Sequence, residues 1–278
     1  MSKFQRTLLL IGACLLLTAT HTVARAQSSP PQSAAQTPGA PALSVETAQG
    51  IELYKQGDFQ AAAAQLKKAT KQTPTDADAW HYLGLALAQL GKQSDATSAL
   101  QKGVYLRFAR LNSFTVGDKK PGELTKEERG VFNAELLRRY RLALETVTAY
   151  LQLNPKDAAF WREQEESLQF YIAHGEGPSG QDGVHAPQDL TTRAVLLSKP
   201  NPKFPTQARN RETQGEVVLR AVLAADGTVQ HVLVLKPLPD GLMEASAEAA
   251  RQVTFRPAEK NGQPVSQLIM LSYHFGVR

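Results

Sequence analysis

The chain repeats itself at a fixed spacing. Gly50-Ile-Glu-Leu-Tyr-Lys-Gln-Gly57 recurs 34 residues later as Gly84-Leu-Ala-Leu-Ala-Gln-Leu-Gly91. At the same offset Ala62 matches Ala96, Leu66 matches Leu100, and Ala69 matches Gly103. A period of this length is one pair of antiparallel helices, which cannot bury its apolar face alone and must stack on its neighbours. Residues 43–110 are thereby restricted to a helical stack. Small residues (Gly50, Gly84, Ala62, Ala96, Ala69, Gly103) let helices approach closely, and larger ones (Leu53, Phe59, Leu66, Trp80, Leu83, Leu87, Leu100) fill the space between them. Gly57 and Gly91 fall at turns, and Pro74 ends a helix because proline cannot continue one.

These residues, Trp80, Leu83, Gly84 and Leu87 above all, resemble the tetratricopeptide-repeat family. A third, degenerate unit is expected over 124–157. There Tyr140, Ala143, Tyr150 and Pro155 fall at the expected places, while Gly130 and Val131 replace the usual Leu-Gly pair. An insertion around Gly117–Gly122 separates it from the second unit. Trp161, Gln164, Leu168 and Tyr171 then recur at i, i+3, i+7 and i+10, one face of a capping helix that closes the segment 43–174. The resemblance implies a protein-binding groove lined by the first helix of each unit, with Tyr54, Lys55, Asp78, His81 and Gln89 as its candidate residues.

A breaker-rich stretch with Gly175, Gly177, Pro178, Gly180, Gly183 and Pro187 reads as a linker over 175–194. Beyond it the periodicity changes. Pro205–Arg211 reads as a short helix beginning at proline. Gly215–Ala225 and Thr228–Lys236 read as strands joined at Asp226-Gly227, a tight hairpin turn. Leu242–Val253 is a helix with Leu242, Ala245, Ala249 and Val253 on one face; Asn261-Gly262 then turns into a last strand, Val265–Phe275. This order resembles the TonB C-terminal domain family over 195–278. The matching residues include Phe204-Pro205, Gly215, Asp226-Gly227, Phe255-Arg256-Pro257-Ala258, Gly262-Gln263-Pro264-Val265 and Phe275. The fold expected for the whole chain is an all-α helical solenoid followed by a small α+β domain, a three-stranded antiparallel sheet in the order 2-1-3 with two helices.

In that order the last strand lies at a sheet edge, where unpaired backbone groups accept an extended peptide by β-augmentation. Val265, Gln267, Leu268, Ile269, Met270, Leu271 and Tyr273 are its candidate contact residues. The resemblance implies the same mode, with short segments of outer-membrane receptors as partners. A homodimer through this edge is the competing use of it.

The first 26 residues read as a secretory signal: Lys3 and Arg6, the apolar run Leu8–Leu17, then Ala24-Arg25-Ala26 before the cleavage point. Ten apolar residues rise only about 15 Å as a helix, half the hydrocarbon core. Gln27–Ala42, with Pro30, Pro31, Pro38 and Pro41, reads as a semi-extended linker. Export to the periplasm follows. Membrane contact is expected only if this segment stays uncleaved as an inner-membrane anchor, or is lipidated at Cys14, the one cysteine of the chain. Of 31 basic residues, Lys3, Arg6 and Arg25 leave with the signal; the 28 that remain face 26 acids, no footprint for nucleic acid. The histidines show no pair at metal-ligand spacing, and no nucleophile or phosphate-loop motif occurs, so neither cofactor, metal nor catalysis is expected. Glu163, Glu165 and Glu166 read as a solvated helix face. The functions in view are a periplasmic adaptor, an anchored energy transducer and an envelope scaffold acting through the repeats.

Overall fold

A computed structural model describes residues 43–111, 124–174 and 184–276. The signal segment, the proline-rich linker at 27–42 and the insertion around Gly117–Gly122 lie outside them.

Four helices form the repeats: α1 (Val45–Lys55), α2 (Phe59–Gln72), α3 (Ala77–Gln89) and α4 (Gln93–Leu111). Local chemistry starts them. Ser44 Oγ accepts from Thr47 N, Asp58 from Ala61 N, and Asp76 from Asp78 N and Ala79 N, each satisfying a first-turn donor that has no partner inside its helix. Gly57 and Gly91 take φ of +83° and +70° at the equivalent turns. The repeat is also one of contacts. A Cβ at Gly50 would lie 2.5 Å from Leu66 Cγ, and a Cβ at Gly84 the same 2.5 Å from Leu100 Cγ.

The expected third unit is corrected. Instead of two helices, α5 runs unbroken from Lys126 to Gln152. Its start is fixed by a capping box between Thr125 and Glu128. A turn would have to fall near Leu137–Arg141, where Leu and Arg, good helix formers, surround Tyr140 and no Gly or Pro intervenes. The chain turns only at Asn154, which has φ of +50°, and Pro155. α6 (Ala158–His174) then returns along α5.

The strand-rich part comprises β1 (Val184–His185), β2 (Val195–Ser198), α7 (Thr206–Asn210), β3 (Gly215–Leu223), β4 (Val229–Lys236), α8 (Leu242–Arg251), β5 (Thr254–Arg256), β6 (Ala258–Lys260) and β7 (Gln263–Phe275). β7 pairs antiparallel with β3, and β3 with β4. The expected sheet is corrected here: it is mixed and wider than three strands. β1 pairs parallel with β7 at Ser266 and Gln267, and β6 folds back on Gln263–Val265 through Asn261-Gly262, both at positive φ. β2 and β5 form a separate antiparallel pair. The stretch read as linker therefore holds a strand at 184–185 and a 3-10 turn at Pro187–Asp189.

Helices and sheet share one core. Buried Phe108, Tyr140, Trp161 and Tyr171 belong to the same apolar cluster as Leu219, Leu233, Leu242 and Leu271. Trp161, Gln164, Leu168 and Tyr171, the stripe read from the sequence, are all buried. At the interface Arg220 of β3 donates to Tyr140 Oη at 2.9 Å and lies over the Tyr171 ring.

Candidate functional site

A sheet has two edges, and here they are treated differently. β4 forms one of them. Its free backbone groups are taken by side chains of α6: Gln164 Nε2 donates to Val232 O at 3.1 Å, and Val234 N donates to Gln164 Oε1 at 2.9 Å. The Gln164 amide thus occupies the place of a peptide unit on a further strand. Tyr171 Oη donates to His231 O, and Ser167 Oγ to Val232 O. Gln164 is fully buried, so this edge is closed to any partner. The signal was present in the sequence as one polar residue within an apolar helical stripe.

β7 forms the other edge. Its register with β3 runs without a bulge from Gly215↔Phe275 to Leu223↔Gln267. Lys199 Nζ donates to Ser272 O at 2.6 Å, so that carbonyl points away from β3. In an antiparallel strand the two backbone groups of a residue point the same way, and the direction alternates along the chain. Leu268, Met270, Ser272 and His274 therefore turn their N–H and C=O outward, while Ile269, Leu271 and Tyr273 turn theirs to β3. From Leu268 onward no strand pairs with this outer side among the described residues.

The candidate edge residues separate accordingly. Val265 is paired with Ala258 of β6, and buried Gln267 with His185 of β1, so neither belongs to an open edge. The two-residue β1 is too short to carry a periodicity. Gln267 Oε1 also accepts from Ala194 N at 2.7 Å. Leu271 and Tyr273 have buried side chains. Leu268 and Met270 keep outward backbone, and the Met270 side chain is 51% exposed. Ala194 is held at Gln267, and Lys199 at Ser272 and over the Tyr273 ring. The residues that flank β2 are thus tethered to β7, and within β2 Val195 is 48% and Leu197 63% exposed.

Of the predicted groove residues, Tyr54 and His81 both pack against Tyr82. His81 is corrected: it is buried, its Nε2 3.3 Å from Glu145 of α5. The close approach of α3 and α4 at Gly103 and the presence of α5 fill the space a groove would need. The His81 side chain holds the Glu145 carboxyl below its ordinary range. Asp78 is engaged by Arg107 at 2.7 Å. Tyr54 packs edge-on against Tyr82, and Lys55 and Gln89 are exposed. Glu163 pairs with Arg251, and Glu165 accepts from Thr148. Among the described residues no cluster of His, Cys, Asp and Glu could hold a metal ion, and no helix is long and apolar enough to cross a membrane.

Residues 200–277 match the family model for the Gram-negative bacterial TonB protein C-terminal, and residues 47–108 match a tetratricopeptide-repeat model. The solution NMR structure of the Pseudomonas aeruginosa TonB CTD is similar at 20% identity and a TM-score of 0.26, covering 34% of this chain and 95% of that one. No curated protein matches the chain. The chain thus carries tetratricopeptide repeats followed by a TonB-like C-terminal domain, two kinds of module that mediate protein–protein interaction.

Proposed function

We propose that this is a non-catalytic adaptor of the bacterial envelope, exported to the periplasm, that takes an extended segment of a partner protein onto the outer edge of β7. The observation that carries the reading is the asymmetry of the sheet. One edge is sealed by buried side chains, while among the described residues no strand pairs with the outer side of Leu268–Phe275, where Lys199 Nζ donates to Ser272 O. A flexible, exposed lysine is displaced at small cost, and backbone pairing then supplies affinity with little demand on partner sequence. Exposed Val195, Leu197 and Met270 favour a segment with apolar side chains. An energy-transducing role would need the same edge together with an anchor in residues 1–42.

The test is a photocrosslinking residue at His274, whose backbone faces outward and whose side chain is exposed. In cells it is expected to capture an envelope protein, and Met270→Pro in the same chain to abolish capture. Undiminished capture from a folded Met270→Pro protein would overturn the reading.

A further inference from the structure

A second surface lies across α3 from the predicted groove. At 100° per residue, Trp80 and Leu87 stand on the face of α3 opposite Asp78 and Gln89. That face opens into a groove of about 670 Å³ between α2 and α4. Half-buried Trp80 and Leu87 form its floor together with Ala63 and Ala99. The indole is held in place by Nε1, which donates to Pro74 O at 2.9 Å. The rim is basic. Lys67 and Lys71 stand one turn apart on α2, with Lys92 and Lys102 on the opposite bank, and Asp95 is the one acid in the lining. None of these four lysines has an ion-pair partner among the described residues.

We infer that this groove docks an acidic amphipathic helix of a partner protein. The walls are helices whose backbone groups are already satisfied internally, so they offer no edge to an extended chain, and an occupant must satisfy its own backbone. The α2 bank from Gln60 to Lys71 is roughly 16 Å long, about three turns. A helix of that length sets apolar residues at i, i+4 and i+7 on the floor. Acidic residues on both its flanks meet lysines on both banks. A flat anionic membrane would reach the rim and leave the recessed apolar floor unfilled. The inference does not depend on the β7 reading, since the two surfaces share no residue.

The probe is a fluorescein-labelled, stapled 14-residue helix with leucines on one face and glutamates on both flanks, titrated into the full chain by anisotropy. Its control carries lysines in place of the glutamates. The acidic helix is expected to bind and the basic one not. Lys67→Glu with Lys102→Glu is expected to weaken binding about tenfold or more. Lys68→Glu with Lys156→Glu, the same charge change at exposed sites outside the groove, is expected to leave it unchanged. Equal binding of both helices, or equal loss in both double variants, would refute the groove as the site. So would cosedimentation with phosphatidylglycerol vesicles by a protein that does not bind the acidic helix.

Discussion

Two glycines separate packing from propensity at single positions. Gly84 and Gly130 both sit inside helices, where alanine is intrinsically better by about 0.8–1 kcal/mol. At Gly130 nothing lies within 4 Å of an added Cβ, so Gly130→Ala is expected to stabilise by about that amount. At Gly84 the Cβ would stand 2.5 Å from Leu100 Cγ and 3.1 Å from Leu100 N. The helix cannot back away from its own repeat partner, and overpacking of this kind costs about 1–3 kcal/mol. Gly84→Ala is therefore expected to be net destabilising, and urea denaturation of the two variants should give opposite signs. His231 is the second residue with a definite consequence. It adopts φ of +48° in β4 and stacks on Phe170 at 3.7 Å, with His174 stacked on the same ring. Burial, then the neighbouring His174, lower the His231 pKa, against a smaller opposing pull from Glu166. A histidine lowered in the folded state stays neutral there while the unfolded chain takes up a proton. Its contribution is thus intact above the ordinary histidine range and is lost as pH falls through that range toward the lowered value. His231→Asn, which tolerates positive φ, should flatten the fall in thermal midpoint between pH 7 and pH 5.

At the level of the element, β7 gives a sharp pair of variants. Ile269 donates toward β3 and Met270 toward solvent, so proline at 269 breaks a ladder bond while proline at 270 removes only a free edge donor. Ile269→Pro is expected to cost at least the roughly 1–3 kcal/mol of a buried backbone group left without its partner, and Met270→Pro far less. Comparable losses in a denaturation series would mean that the alternation has been assigned in the wrong phase. The elements themselves were unevenly legible. The 34-residue offset, Asp226-Gly227 and Asn261-Gly262 each state a local geometry that few other residues satisfy, and the structure places them as read. The division of α5 came from projecting the repeat onto residues that lack any breaker. The cover on Gln267 depends on Val184–His185, some 80 residues away in sequence, and no local pattern announces a pairing so short. The lysine-rimmed groove was equally hidden, because Lys67 and Lys102 meet only once α2 and α4 are stacked.

For the whole molecule, the repeats and the sheet are bound together through what the sheet would otherwise expose. Arg220 is nearly buried with its guanidinium donating to Tyr140, and the β4 edge is completed by Gln164, Ser167 and Tyr171. Removing the helices would uncover a charged group on the sheet face and an unpaired strand edge, the geometry that drives self-association. A fragment of residues 184–278 is therefore expected to dimerise or aggregate, whereas in the full chain the β4 edge is closed by α6. The point variant Gln164→Ala probes the same dependence without truncation. It leaves Val234 N in a buried site with no partner, at about 1–3 kcal/mol, and Val232 O with only the longer Ser167 Oγ contact of 3.4 Å. The loss should exceed that from an exposed glutamine such as Gln169 by several-fold. Light scattering on the fragment and denaturation of the variant address one claim from two sides. A monomeric, stable fragment together with an undiminished Gln164→Ala protein would mean that the helices are not what closes β4, and the reason for assigning partners to β7 alone would go with it.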